Sequence, residues 1–295
     1  MPAATPLDAL IEKARRLELG SRHRARSRYA GLYSSAFKGQ GIEFADVREY
    51  APGDDVRHID WNVSARSGTL HVKTMNEERD RSVLVVLDTS ATLDFGSVRR
   101  TKFDLAVELA SLFILLAFQA RDRVSLLLAG SRPDRYVPPA KGWIHASRLI
   151  REVVSRAPAG APPEMEQLWS FLSSPGIPRS LVLAVLDFHV HLEPTSALGA
   201  ASRKHEIVAL FVSDPREFRL PQAGRVRLRD PATGTVSLVR TGRARVRAEF
   251  ERAAEERRAR LRATFAASGV DCAEFTTSED YEPSLRRFLQ RRSMR

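Results

Sequence analysis

The stretch SVLVVLD, Ser82 to Asp88, decides the fold: its apolar residues run unbroken from Val83 to Leu87 and end on a carboxylate. An apolar run without polar alternation is what a strand covered on both faces requires, as in a parallel sheet. Outward from it, SLVLAVLD at 180–187 repeats the pattern and ends on Asp187, and EIVALFVSD at 206–214 is a third such run. RVSLLLAG at 123–130 reads as a further strand. Helical patterns lie between them, from about Thr101 to Gln119, across HASRLIREVVSRA at 145–157 and over MEQLWSFL at 165–172. Strands alternating with helices predict an α/β fold, a mostly parallel sheet flanked by helices. The polar turn RDPATGT, a highly charged helix from about Arg243 to Ala267, the strand-like DCAEFTT and a last helix over YEPSLRRFLQRR are expected to complete the same sheet.

The 295 residues are 43% hydrophobic and 28% charged, a globular balance that excludes wholesale disorder, collagen-like repeats and coiled-coil rods. The single cysteine, Cys272, can form no intrachain disulfide and no thiolate cluster. The longest apolar stretch, Leu109 to Phe118, falls short of the roughly 20 residues a bilayer needs. The opening MPAATPLDALIEKARRLELG has no apolar region behind a basic start, so a cytoplasmic location is expected. Residues 6–19 have the spacing of an amphipathic helix, and Arg22, Arg24, Arg26 and Arg28 with the glycine-rich GLYSSAFKGQG read as an exposed, mobile basic arm. Three parts follow: a helix and arm over 1–40, short strands and turns over 41–80 with TLHVKTM as the best strand, and the α/β domain over 81–295.

Functional groups of a parallel sheet collect beyond the carboxyl ends of its strands, where Asp88 and Asp187 fall. A turn after Asp88 would aim the Ser90 and Thr92 hydroxyls at the same point as the carboxylate, and an all-oxygen site of this kind suits Mg²⁺. The alternative is that Asp88 and Ser90 cap the following loop and helix.

The stretch from Glu43 to Gly96, EFADVREYAPGDDVRHIDWNVSARSGTLHVKTMNEERDRSVLVVLDTSATLDFG, strongly resembles the family catalogued as domain of unknown function 58. LDF at 186–188, VSDP at 212–215 and DPATG at 230–234 extend the resemblance over almost the whole chain. It implies a von Willebrand factor A-like, Rossmann-like fold preceded by an extended β segment, and partnership with a MoxR-type AAA+ ATPase. It also implies that Asp88, Ser90 and Thr92 correspond to the Asp-x-Ser-x-Ser loop of a metal-ion-dependent adhesion site, with Asp187 as the later aspartate and a partner's carboxylate completing the Mg²⁺ shell. The sequence departs from that pattern in two places. Thr92 replaces the second serine, and PAGAPPE before MEQLWSFL offers no threonine ligand, leaving Glu164 as a substitute of different reach.

Arg48, Tyr50, Asp54, Asp55, Arg57, Asp60, Trp61 and Arg66 crowd both charges and two aromatic rings into one short stretch. A structural ion-pair and hydrogen-bond network, with Trp61 and Tyr50 packed as anchors, is expected there; a partner-binding surface is the alternative. His189 and His191 share one face of an extended segment beside Asp187 and could approach a transition metal, or simply lie in a solvated loop. No phosphate-binding Gly-x-x-x-x-Gly-Lys-Ser/Thr loop and no Gly-x-Ser-x-Gly elbow occurs. The reading that follows is a non-enzymatic adaptor that couples a MoxR-type ATPase to a protein client. The net charge of +11 keeps open a basic nucleic-acid-associated protein, and the two aspartates keep open a metal-dependent hydrolase.

Overall fold

A computed structural model of the chain describes residues 29–37, 46–51, 54, 56, 59–74, 81–187, 195–230 and 233–294. In chain order the elements are α1 (Ala30–Ala36), β1 (Asp46–Glu49), α2 (Trp61–Ser67), β2 (His71–Thr74), β3 (Ser82–Asp88), α3 (Lys102–Gln119), β4 (Arg123–Ala129), β5 (Pro133–Ala140), α4 (Trp143–Ser155) and α5 (Met165–Ser173). They continue with β6 (Leu181–Asp187), α6 (Ser196–Lys204), β7 (Glu206–Ser213), β8 (Val226–Arg229), β9 (Val236–Val239), α7 (Ala244–Ala267), β10 (Asp271–Thr276) and α8 (Tyr281–Ser293). The described residues between 37 and 80 form one compact unit and the other described residues another.

The larger unit is built on a six-stranded sheet in the order β10-β7-β6-β3-β4-β5, parallel except for β5. Register fixes which residues share a face. Leu84 lies opposite Val182 and Val182 opposite Ile207, so Leu84, Val86, Val182, Ala184, Ala209 and Phe211 point one way. They bury against Leu168 and Trp169 of α5, Leu198 of α6 and Phe265 of α7, where Phe265 meets Trp169 and Phe211 edge-on at 6.2 and 5.4 Å. The alternate residues Val83, Val85, Leu87, Leu183 and Val185 are equally buried on the opposite face. Helix α3 is apolar around most of its circumference and packs against β3, β4, β6 and β7. Two covered faces are why these strands read as continuous apolar runs.

Of the C-terminal tail, β10 completes the sheet as expected, pairing in parallel along the outer edge of β7, whereas β8 and β9, on either side of the RDPATGT turn, pair with each other in a separate antiparallel ribbon. Helix α7 buries only Ala254, Leu261 and Phe265, and carries Arg245–Glu249 and Arg252–Glu256 pairs on its solvated side. Such exposed pairs contribute little each but keep so charged a helix wettable. Cys272 lies on β10, where burial, with the charges of Glu274 and Asp271, pushes its thiol up to about 12, so it stays protonated and unreactive.

The reading of an exposed, mobile arm is corrected at its last residues. Tyr29 and Tyr33, four apart and so on one helical face, are both buried, with α1 packed against α8. The Tyr33 hydroxyl donates to Asp122 Oδ2 at 3.2 Å, and the Ala36 carbonyl accepts from Arg292 Nε at 3.1 Å. The proposed helix over 6–19 and the four arginines at 22–28 lie outside the described residues.

In the smaller unit β1 and β2 pair antiparallel, and α2 is held at both ends. Asp60 accepts from the Asn62 and Val63 amides at 3.0 and 3.2 Å as its N-cap, and Gly68 closes it in the left-handed conformation at φ 75°. The buried Ser64 hydroxyl accepts from the His71 amide at 2.9 Å, tying α2 to β2. Asp54 accepts from the Ala51 amide at 2.9 Å and closes a turn, while the Tyr50 amide donates to the Leu70 carbonyl. Asp55, Arg57 and the side chain of Arg48 lie outside the described residues, and Arg66 is exposed. Trp61 corrects the packed-anchor expectation: it is the first residue of α2 and 67% of its surface is exposed, because the capping Asp60 rather than the indole fixes the helix start.

These placements separate two tryptophans. Trp61→Ala is expected to change the stability to chemical denaturation by no more than about 0.5 kcal/mol, as for exposed sites. Trp169→Ala, at a fully buried position, is expected to cost about 3–5 kcal/mol.

Candidate functional site

The sheet order reverses between β3 and β6. The chain leaves β3 toward β4 on one side and later returns on the other, so the two strand ends that carry Asp88 and Asp187 lie side by side. Both carboxylates are fully buried. Asp88 Oδ1 accepts from the Ser90 amide at 2.8 Å, and its Oδ2 accepts from the Asp187 amide at 3.3 Å. The Ser90 and Thr92 hydroxyls are 2.8 Å apart and bond to each other. The loop therefore does bring together Asp88, Ser90, Thr92 and Asp187.

In the loop PAGAPPE, residues 158–164, where the resemblance would place a threonine ligand, Ala159 and Gly160 serve instead as a backbone clamp. The Ala159 amide donates to the Thr89 carbonyl at 2.8 Å and the Ala91 amide donates to the Gly160 carbonyl at 3.0 Å. Glu164 is exposed, and its carboxylate accepts from Gln167 in the same helix. His189 and His191 lie outside the described residues.

Three residues that sequence reasoning did not select complete the site: Lys102, Asp214 and Glu217. Lys102 is the first residue of α3, after the N-cap Thr101, whose hydroxyl and Asp104 form a reciprocal capping box. Its ammonium donates to Asp187 Oδ1 at 2.8 Å and to Glu217 Oε1 at 2.5 Å, with only 1% of the residue exposed. A cation at a helix N-terminus opposes the helix dipole, and burial also penalises it. Burial pulls the Lys102 pKa down, yet the charges and hydrogen bonds of Asp187 and Glu217 outweigh it and hold the pKa above its ordinary value. The ammonium is therefore permanent at neutral pH.

Glu217 reaches that position because Asp214 caps the turn Pro215–Glu217, and its other oxygen accepts from the Asp214 amide at 2.8 Å. Asp214 itself accepts from the Ser97 amide at 2.9 Å, the Ser97 hydroxyl at 2.5 Å, the Thr277 hydroxyl at 2.6 Å and the Arg216 amide at 2.9 Å. Burial raises the Asp214 pKa, but these donors prevail and hold it below the ordinary carboxylate value. The loop before α3 is thereby fixed from two sides, because Arg100 also donates to the carbonyls of Thr277 and Glu279. Gly96 sits so close to this loop's own return that a Cβ would stand 2.5 Å from the Arg100 carbonyl oxygen. The one legible signal for Asp214 and Glu217 was the Asp-Pro-x-Glu spacing, a capping-box pattern.

The donor set does not fit a divalent ion. Asp187 and Glu217 already share an ammonium, the Ser90 and Thr92 hydroxyls are turned toward each other in one hydrogen bond, and Glu164 bonds within its own helix. Among the described residues no three His, Cys, Asp or Glu side chains gather as a metal-holding group.

Comparison with known proteins places this arrangement in context. The family described as “Protein of unknown function DUF58” matches residues 46–260. An uncharacterized protein, Mb1516, of Mycobacterium bovis is 32% identical over 285 residues, covering 96% of this chain and 90% of its own. The uncharacterized protein MAV169 of Mycobacterium avium is 30% identical over 158 residues, covering 53% of this chain and 93% of its own. Among solved structures, the PilB minor pilin from Streptococcus sanguinis aligns with a TM-score of 0.37 at 9% identity, over 77% of this chain and 64% of its own.

Asp88 gives the site a pH signature. Burial first, with the Asp187 charge adding to it, raises its pKa from 3.8 to about 6 against the opposing Ser90 amide. The folded state thus binds this proton more tightly than the unfolded chain. The Asp88 contribution to stability is therefore full below about pH 4, falls as pH rises to about 6 and stays lost above, by about 2–3 kcal/mol. The difference between wild type and Asp88→Asn in denaturant melts from pH 4 to 8 is expected to follow that fall; a pH-independent difference would refute it.

Proposed function

As the chain belongs to the DUF58 family and is 32% identical to an uncharacterized protein of Mycobacterium bovis over 96% of its length, we propose that it is a non-enzymatic cytoplasmic scaffold that docks protein partners at the crest of its sheet. The working partner in this reading is a MoxR-type AAA+ ATPase, with the scaffold presenting a client in a chaperone-like or complex-maturation role. The observation that carries it is the crest loop: Phe95 and Val98 are exposed on a segment that Asp214 and Arg100 hold in place. Exposed Arg99 and Arg216 belong to the same loop and to the capped turn, so an acidic, apolar partner segment suits this surface. A preorganised loop loses little entropy on binding, which favours recognition. The full burial of Asp88 and Asp187 supports the non-enzymatic reading, because a catalytic carboxylate must come within hydrogen-bond reach of its substrate.

A second reading, nucleic-acid association, is favoured by the β8–β9 ribbon. There the exposed Arg227 and Arg229 lie opposite the exposed Leu238 and Val236. Phosphate contacts would make such binding fall steeply with salt.

The test is calorimetric titration of the MoxR-type ATPase with wild type, Phe95→Asp/Val98→Asp and Arg227→Glu/Arg229→Glu. The crest variant is expected to weaken binding at least tenfold with an unchanged melting point, and the ribbon variant to leave it intact. Equal affinity in all three would remove the crest from the interface. Duplex DNA binding that disappears with the ribbon variant would instead favour the second reading.

A further inference from the structure

A positive charge stands between the carboxylates of this crest in covalent form, as the single ammonium of Lys102. We propose that Lys102 is the resident cation of the site, seated on Asp187 and Glu217, and that the crest works without a bound metal. The inference does not require that a partner docks there.

Four observations lead to it. The Lys102 ammonium is buried and bonds two carboxylates from different elements, the end of β6 and the turn after β7. Its position is set by construction rather than by a wandering side chain. Residue 102 follows a capped helix start, and its own amide donates to the Phe95 carbonyl at 2.8 Å. Glu217, the second carboxylate, is held by the Asp214 amide through the oxygen that does not touch Lys102. Finally, the two hydroxyls that would contribute to an all-oxygen shell are turned toward each other, Ser90 and Thr92 lying 2.8 Å apart in one hydrogen bond.

Electrostatics favours one occupant over two. An ammonium at 2.8 Å from Asp187 Oδ1 stands where a Mg²⁺ bound to the same oxygen would feel its full repulsion, and neither charge is screened by water at a position this buried. Mg²⁺ also demands near-octahedral oxygen coordination at about 2.0–2.1 Å, closer than any lysine can approach. A lysine needs no loading step. It makes the crest indifferent to metal supply and fixes the relative positions of α3, β6 and the turn after β7 once the chain has folded.

The experiment uses the full chain alone, with Mn²⁺ binding read by electron paramagnetic resonance and melting followed with Mg²⁺ or EDTA. Wild type is expected to bind no site-specific Mn²⁺ and to melt at the same temperature in both conditions. Lys102→Ala is expected to melt lower by on the order of 10 °C, as follows when one partner of a buried ion pair is removed. It is also expected to bind Mn²⁺, and to lose that binding in the Lys102→Ala/Asp187→Asn background. If Lys102→Ala does not fold, Lys102→Met/Asp187→Asn removes one charge of each sign; it is expected to fold and to ignore Mg²⁺. The proposal is overturned if wild type binds Mn²⁺ or is stabilised by Mg²⁺ in a way that Asp88→Ala abolishes. It is equally overturned if folded Lys102→Ala takes up no Mn²⁺, or if the double variant melts higher with Mg²⁺.

Discussion

Because β3, β6 and β7 are covered by helices on both faces, no side chain between their terminal residues can keep a charge in water, and polar chemistry is confined to the strand ends. The crest bears that constraint. Asp88, Asp187 and Asp214 end or follow three neighbouring strands, and each is fully buried. Each carboxylate there must find its partners within the protein. Asp88 takes backbone amides and a raised pKa, Asp187 takes the Lys102 ammonium, and Asp214 takes four donors and a lowered pKa. Three aspartates in related positions thus reach three different states, set by what surrounds them rather than by residue type.

The same constraint explains what the sequence made legible. Covered strands advertise themselves as apolar runs, so Ser82–Asp88, Leu181–Asp187 and Glu206–Ser213 could be read directly, and with them the parallel sheet. Strand β5 could not: Pro133, Pro138 and Pro139 argue against a strand, and it is tolerated because β5 lies at the sheet's edge, paired on one side only. Helix α1 was hidden for another reason. Its helical signal is the pair Tyr29 and Tyr33 inside a glycine- and arginine-rich context, and only docking against α8 and the end of α3 gives them somewhere to be buried. Composition describes the average of a segment, while burial follows a few well-spaced residues.

The site divides along similar lines. Asp88 and Asp187 were found because each ends an apolar strand, and Ser90 and Thr92 because they follow Asp88 in one short loop. Lys102 and Glu217 were missed because their partnership spans residues 102 to 217, and no local pattern marks a lysine that will point into a core. On sequence alone, a lysine at a helix start reads as a solvated residue placed against the helix dipole. That local disfavour was itself the available signal, since a residue that breaks a local rule must be compensated by tertiary structure.

The stability of such a network is a poor explanation for its existence. A buried ion pair regains its desolvation cost only with excellent geometry, and well-packed apolar replacements often do as well or better. What an apolar core could not supply is direction. Lys102 joins the start of α3 to the end of β6 and the turn after β7, while Asp214 joins that turn to Ser97 and to Thr277 beyond β10. Every link is short and directional, so the exposed loop that carries Phe95 and Val98 is held in one place relative to three strand ends. Apolar contacts would tolerate sliding by fractions of an ångström; charge-assisted hydrogen bonds in a dry environment do not, because each one lost leaves a buried polar group unsatisfied. The crest therefore joins a rigid polar base to an exposed apolar rim, and its rigidity comes from the same residues that make it a candidate docking surface.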